Sequence, residues 1–171
     1  MKSSLIELIM VMTLLVLFGM TIFTLMYSGA DTQDRIMREK NTQIDARIAV
    51  SYINVKLRQN DMLNRDIDNQ MKIGVRPISL TGRNAIVIRE RTFDYEYDTW
   101  IYEYGGKLYE LLTDPGDEPN EDNHKMGFYI VDVERMDTVF DAKNGTVTNT
   151  VYYSYNDGLD SITSTVYLRS Y

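Results

Sequence analysis

From Leu8 to Ala30 the chain carries no charged side chain, and the stretch LIMVMTLLVLFGMTIFTLMY, Leu8 to Tyr27, is apolar around the whole circumference of a helix. Twenty residues rising about 1.5 Å each make a helix of roughly 30 Å, the thickness of a bilayer's hydrocarbon core. A soluble domain of this size has no use for a helix without a polar face, so the stretch reads as a membrane span. Glu7 precedes it, between Leu5-Ile6 and Leu8-Ile9. A carboxylate placed one turn into an apolar run is costly in lipid and calls for a charged partner, which makes it a functional candidate.

The motif Ser4-Leu5-Ile6-Glu7-Leu8-Ile9 ahead of a long apolar helix resembles the start of type IV pilins and of type II secretion pseudopilins. The resemblance implies a prepilin-type cut between Lys2 and Ser3, where the family has Gly before the bond and usually Phe after it. It also implies that Glu7, as fifth mature residue, pairs with the α-amine of a neighbouring subunit inside the bilayer. Without the cut, Lys2 and the initiator amine are the candidate partners. The partners implied are the membrane and other pilin-like subunits. The place implied is the bacterial cytoplasmic membrane, crossed once, with the globular part outside.

Two other readings of the same residues stand beside this one. Glu7 can sit at headgroup level at the end of an ordinary signal-anchor helix. Alternatively, Ser28-Gly29-Ala30 supplies the small residues a signal peptidase prefers, with a cut between Ala30 and Asp31 and a secreted remainder. The apolar run is longer than the 7–15 residues usual for a signal peptide, and Glu7 lies where a basic leader belongs. Counting basic residues flanking the span gives Lys2 on one side and Arg35, Arg38, Lys40 and Arg47 on the other. That count alone would put the globular part in the cytoplasm; the external placement comes from the pilin resemblance.

The formal charge of −7 falls after the span, because Lys2 and Glu7 cancel. The basic residues are scattered among acids, which argues against a nucleic-acid partner, since phosphate binding needs clustered Lys and Arg. Cysteine is absent, which removes disulfides and thiolate metal sites.

Residues 1–30 therefore read as an N-terminal segment with a transmembrane helix, 31–60 as its continuation, and 61–171 as a β-rich globular domain. Ile36, Ile44, Ile48, Tyr52, Ile53, Val55 and Leu57 fall mostly at helical separations, with no Gly or Pro between Gly29 and Gly74. One helix of roughly fifty residues is expected, membrane-embedded first and packed on a sheet last, with two helices hinged near Gly29 as the alternative.

Asn60 to Asn84 reads as a connector, rich in Asn and Asp and punctuated by Gly74, Pro77 and Gly82. Ala85–Ile88, Thr99–Tyr104, Lys107–Leu112, Phe128–Val133, Thr138–Phe140, Thr146–Tyr155 and Ser161–Leu168 read as strands. The turn signals between them are Gly105-Gly106, Asn144-Gly145 and Asn156-Asp157-Gly158. Trp100, Tyr102 and Tyr104 alternate with Ile101 and Glu103, predicting a half-buried strand. Six or seven strands with short turns give an antiparallel sheet, so the expected class is α+β: a long helix, transmembrane then amphipathic, packed on that sheet in a pilin-like layout. The segments ARIAVSYINVKLRQN (Ala46–Asn60), AIVIRE, TWIYEYGGKLYELL and TVYLRS also resemble an uncharacterised bacterial family with a single N-terminal span, which brings no known activity.

Little in the chain points to catalysis. His124 is the only histidine, and no G-x-S-x-G nucleophile motif accompanies it. Ser51 and Lys56 stand roughly 140° apart on a helix and share no face. No catalytic residue, cofactor, metal or small-molecule substrate is therefore assigned. Asp114, Asp117, Glu118, Glu121 and Asp122 supply hard oxygens for calcium but lack the EF-hand spacing, so a solvated loop is the simpler reading. The thirteen tyrosines and Trp100 offer material for a ligand face, or for ordinary sheet packing. Met10, Met12, Met20 and Met26 read as apolar filler in the span. The expected function is a non-enzymatic minor pilin or pseudopilin subunit; the alternative is a single-pass or secreted interaction domain that joins no filament.

Overall fold

The computed structural model describes residues 2–61, 73–92, 95–156 and 158–169, the side chains of 2–5 and 31 excepted. The centre of the expected connector, residues 62–72, and the side chains of Lys2, Ser3 and Asp31 thus lie outside the described residues. The chain divides into two compact units, Met1–Lys40 and Asn41–Tyr171. Helix α1 (Lys2–Asn60) contributes its first part to one and its last turns to the other. It continues through Gly29 as a single helix, 59 residues long against the roughly fifty expected.

The second unit adds eight strands among the described residues: β1 (Ile73–Pro77), β2 (Asn84–Thr92), β3 (Tyr95–Tyr104), β4 (Lys107–Thr113), β5 (Phe128–Asp132), β6 (Arg135–Asp141), β7 (Thr146–Tyr155) and β8 (Gly158–Tyr167). They form two antiparallel sheets, one in the order β1-β2-β3-β4-β5 and one in the order β6-β7-β8. Within each sheet the strands pair antiparallel in sequence order. Long helix followed by antiparallel sheets is the α+β arrangement expected.

Two expectations about the layout of the strands need correction. The connector contains β1, which reads as a loop because Gly74 and Pro77 occupy two of its five positions. β1 lies at a sheet edge, where a short strand tolerates both residues. The single sheet of six or seven strands is two sheets, split where β5 gives way to β6.

The main core lies where the end of α1 meets both sheets. Ala46, Ala49, Val50, Ile53 and Leu57 form one helical stripe, packed with Ile86, Ile88, Ile101 and Leu108 of the first sheet and Met136, Val147 and Val151 of the second. Full burial of such an aliphatic side chain is worth about 1.5–3 kcal/mol. Polar contacts fix the helix at three points. Thr42 donates to the Ser154 carbonyl of β7 at 2.8 Å, Asn54 and Ser164 of β8 exchange hydrogen bonds, and Lys56 pairs with Glu110 of β4 at 2.8 Å.

β3 is not half-buried. Ile101 faces the main core, while Trp100 and Tyr102 join Ile78, Ala85, Val87 and Leu111 in a second buried cluster on the opposite face. The segments after β1 and β4 cover that face: Ile78 lies in the first, and the Trp100 indole donates to the Asp117 carbonyl of the second at 2.9 Å.

Candidate functional site

The first unit is a helix whose apolar side chains stay exposed among the described residues. From Ile6 to Tyr27 every large hydrophobic residue is exposed, and none of the most apolar eighteen-residue window is buried. The helix is long and apolar enough to cross a membrane. Its threonine hydroxyls bond within the helix: Thr13 donates to the Ile9 carbonyl, Thr21 to Phe18 and Thr24 to Met20, each at 2.8–2.9 Å. In hydrocarbon this back-bonding replaces the water such groups would otherwise require. Glu7 differs because its carboxylate has no comparable intrahelical outlet by chemistry, and it is exposed in the helical turn that opens the apolar run. The structure thus places Glu7 and Leu8–Tyr27 on one continuous helix, with Ala30 further along it.

In the second unit, the contact between α1 and β4 holds a partly buried acid. Glu110 accepts from the Tyr52 hydroxyl on one oxygen and from Lys56 Nζ on the other. Burial pushes its carboxyl above the usual range despite the Lys56 ammonium beside it. Ser51 is exposed and does not join Lys56, in line with their spacing.

Asp98, fully buried on β3, makes a second charge contact. Arg89 Nε and Nη2 donate to its two oxygens at 2.8 and 2.9 Å, and the Gly116 amide adds a third bond at 3.0 Å. Burial alone would raise its pKa. The Arg89 and Gly116 hydrogen bonds, with the Arg89 and Arg76 charges, outweigh that and hold it below the usual carboxylate range. Sequence reasoning assigned none of these residues, because a pair formed across adjacent strands leaves no mark in local spacing.

The acidic loop mostly bonds to itself. The Asp117 amide donates to the Asp114 carbonyl, Glu118 takes the Ser79 hydroxyl, and Asn120 and Asn123 cap one another's turn. Among the described residues no three Asp, Glu or His side chains converge as a metal site. His124 lies in a 3₁₀ turn (His124–Met126), its ring 4.7 Å from that of Tyr104. Trp100 and Tyr102 are core residues, so they present nothing to a ligand. The Tyr102 hydroxyl, pushed up to about 12 by burial and by the nearby Tyr109, sits in that core.

The second unit also exposes large apolar side chains. Leu112, Met126 and Phe128 are 59%, 76% and 71% accessible around the β4–β5 edge. The ladder ends at the Glu110–Phe128 pair, with Leu112 and Met126 just beyond it. This patch had no signal in the sequence, because Phe128 follows the pattern of an ordinary half-buried strand.

Comparison with curated proteins and with solved structures finds no match for this chain. Residues 44–151 match a protein family, beginning at the part of α1 that docks on the sheets and ending in β7. That match covers more than half of the chain, and the protein belongs to the family described as a domain of unknown function, DUF4860.

Proposed function

We propose that this chain is a membrane-anchored, non-enzymatic subunit of the minor pilin or pseudopilin kind, assembling through its N-terminal helix. The observation that carries this reading is Glu7, exposed at the head of an apolar helix that runs on into the globular unit's own helix. An unpaired carboxylate in low dielectric costs several kcal/mol, so a subunit bearing one gains by meeting a cation on a neighbour. Glu7 then sets recruitment and register, while Leu8–Tyr27 supplies lipid contact and helix packing. The globular unit presents its surface at the assembly or its tip.

The test begins with the N-terminus of the protein from its native membrane, read by mass spectrometry. A start at Ser3 is expected, followed by loss of co-purifying pilin-like subunits in Glu7→Ala. A start at Asp31 would make residues 1–30 a signal peptide and end the reading.

A second reading has its own support. The exposed Leu112, Met126 and Phe128 suit a partner-binding module held at the membrane without a filament. An intact Met1, together with unchanged membrane complexes in Glu7→Ala, would favour it.

A further inference from the structure

The last turns of α1 carry two apolar faces where docking on the sheets needs only one. Ala46, Ala49, Val50, Ile53 and Leu57 face the core. On the opposite side Ile44, Ile48 and Val55 stay 43%, 46% and 48% accessible, and Asn41 and Ser51 between them are exposed. At about 100° per residue the centres of the two faces lie roughly half a turn apart. The outer face steps by three and four residues through 41, 44, 48, 51 and 55, which is the a/d seam of a coiled coil. In that frame 41, 48 and 55 are a positions and 44 and 51 are d positions. The residues buried on the sheets occupy b, c and f, which an ordinary coiled coil gives to solvent.

We infer that this outer face is the seam of a parallel, in-register pair formed with a second copy of the same chain. Three features select a copy of itself. Asn41 at an a position fixes a two-stranded, in-register state by pairing with its own counterpart, and Ile48 and Val55 supply the apolar a contacts. In a parallel pair each g residue faces the e residue five positions on in its partner, which sets Lys40 opposite Asp45, a complementary charge pair. Finally, the seam lies on the side of the helix away from the sheets, so pairing leaves both globular units on the outside. Two heptads are too short to associate strongly alone. The parallel orientation and the required local concentration rest on the membrane-anchor reading, since anchors inserted the same way hold the seams side by side.

The chain has no cysteine, so single-cysteine variants report cleanly. Full-length Ile48→Cys and Val55→Cys, reconstituted in phosphatidylcholine–phosphatidylglycerol vesicles and mildly oxidised, should convert largely to disulfide dimers. Val139→Cys, at an exposed position of β6, should remain monomeric. Adding Lys40→Glu to Ile48→Cys should lower the dimer yield several-fold, and adding Asp45→Lys as well should restore it. Dimers absent at both seam positions, or formed equally at Val139→Cys, overturn the inference. Glu7→Ala separates it from the filament reading: the seam dimer should persist when recruitment through Glu7 is lost, so either can fail alone.

Discussion

Asp98 shows what one residue contributes that no sequence pattern announces. It stands in DYEYDTW, a string in which any acid reads as the solvent-facing member of a strand. The fold instead buries it completely and supplies Arg89 from β2 and the Gly116 amide from the following loop. Removing one partner of such a pair leaves an uncompensated buried charge. Asp98→Asn is therefore expected to destabilise the second unit by about 3–5 kcal/mol in urea titration. Because its folded pKa is depressed, the stability Asp98 adds is fully present above its unfolded value of about 3.9. That stability is lost as pH falls through the lower folded value, and Asp98→Asn should flatten the acid limb of a stability–pH curve. Glu110 runs the other way: with a folded pKa raised by burial, it favours the fold below its unfolded value and loses that contribution as pH rises through the folded one. A curve with no acid limb in the parent protein would refute the Asp98 assignment.

Among the elements, α1 and β3 show where legibility stops. The helix was readable because Ile53 and Leu57 recur at helical spacing, and the hairpin because Gly105-Gly106 supplies two residues with positive φ, +59° and +77°, as a tight turn between twisted strands requires. Alternation in Trp100–Tyr104 correctly indicated a strand but misjudged its burial. The cover over Trp100 and Tyr102 comes from loop segments distant in sequence, and loops of that kind carry no periodicity. Likewise, helical spacing groups Ile44, Ile48 and Val55 with the docking face, since apolar spacing alone does not say which of two faces meets the sheet. Substitution separates them. Ile53→Ala removes fully buried methyl groups and should cost about 2–5 kcal/mol. Ile48→Ala changes an exposed site and should stay within about 0.5 kcal/mol in the monomer. The comparison is made by chemical denaturation of dilute protein in detergent, and equal losses would mean that the outer face already packs within one chain.

At the scale of the whole molecule, charge and hydrophobicity are divided between the two units. Through Lys40, four basic residues balance four acidic ones, so the −7 of the chain resides entirely in Asn41–Tyr171. That unit has its own core between α1 and the sheets, and five of its basic side chains pair with acids within the fold: Lys56 with Glu110, Arg83 with Glu103, Arg89 with Asp98, Arg91 with Glu96 and Arg135 with Asp137. Its net negative charge is repelled by anionic headgroups. The first unit holds the whole of the long exposed apolar run, which lipid or other helices would satisfy. Membrane affinity should therefore belong to residues 1–40 alone. Full-length protein is expected to float with phosphatidylglycerol-rich vesicles in a density gradient at both low and high salt, since burial of apolar surface is insensitive to screening. A chain reduced to 41–171 should remain at the bottom under both conditions while keeping a β-rich circular dichroism spectrum and a cooperative thermal transition. If the reduced chain floated, the exposed Leu112, Met126 and Phe128 would be the lipid-binding surface, and the anchor would no longer explain membrane attachment by itself.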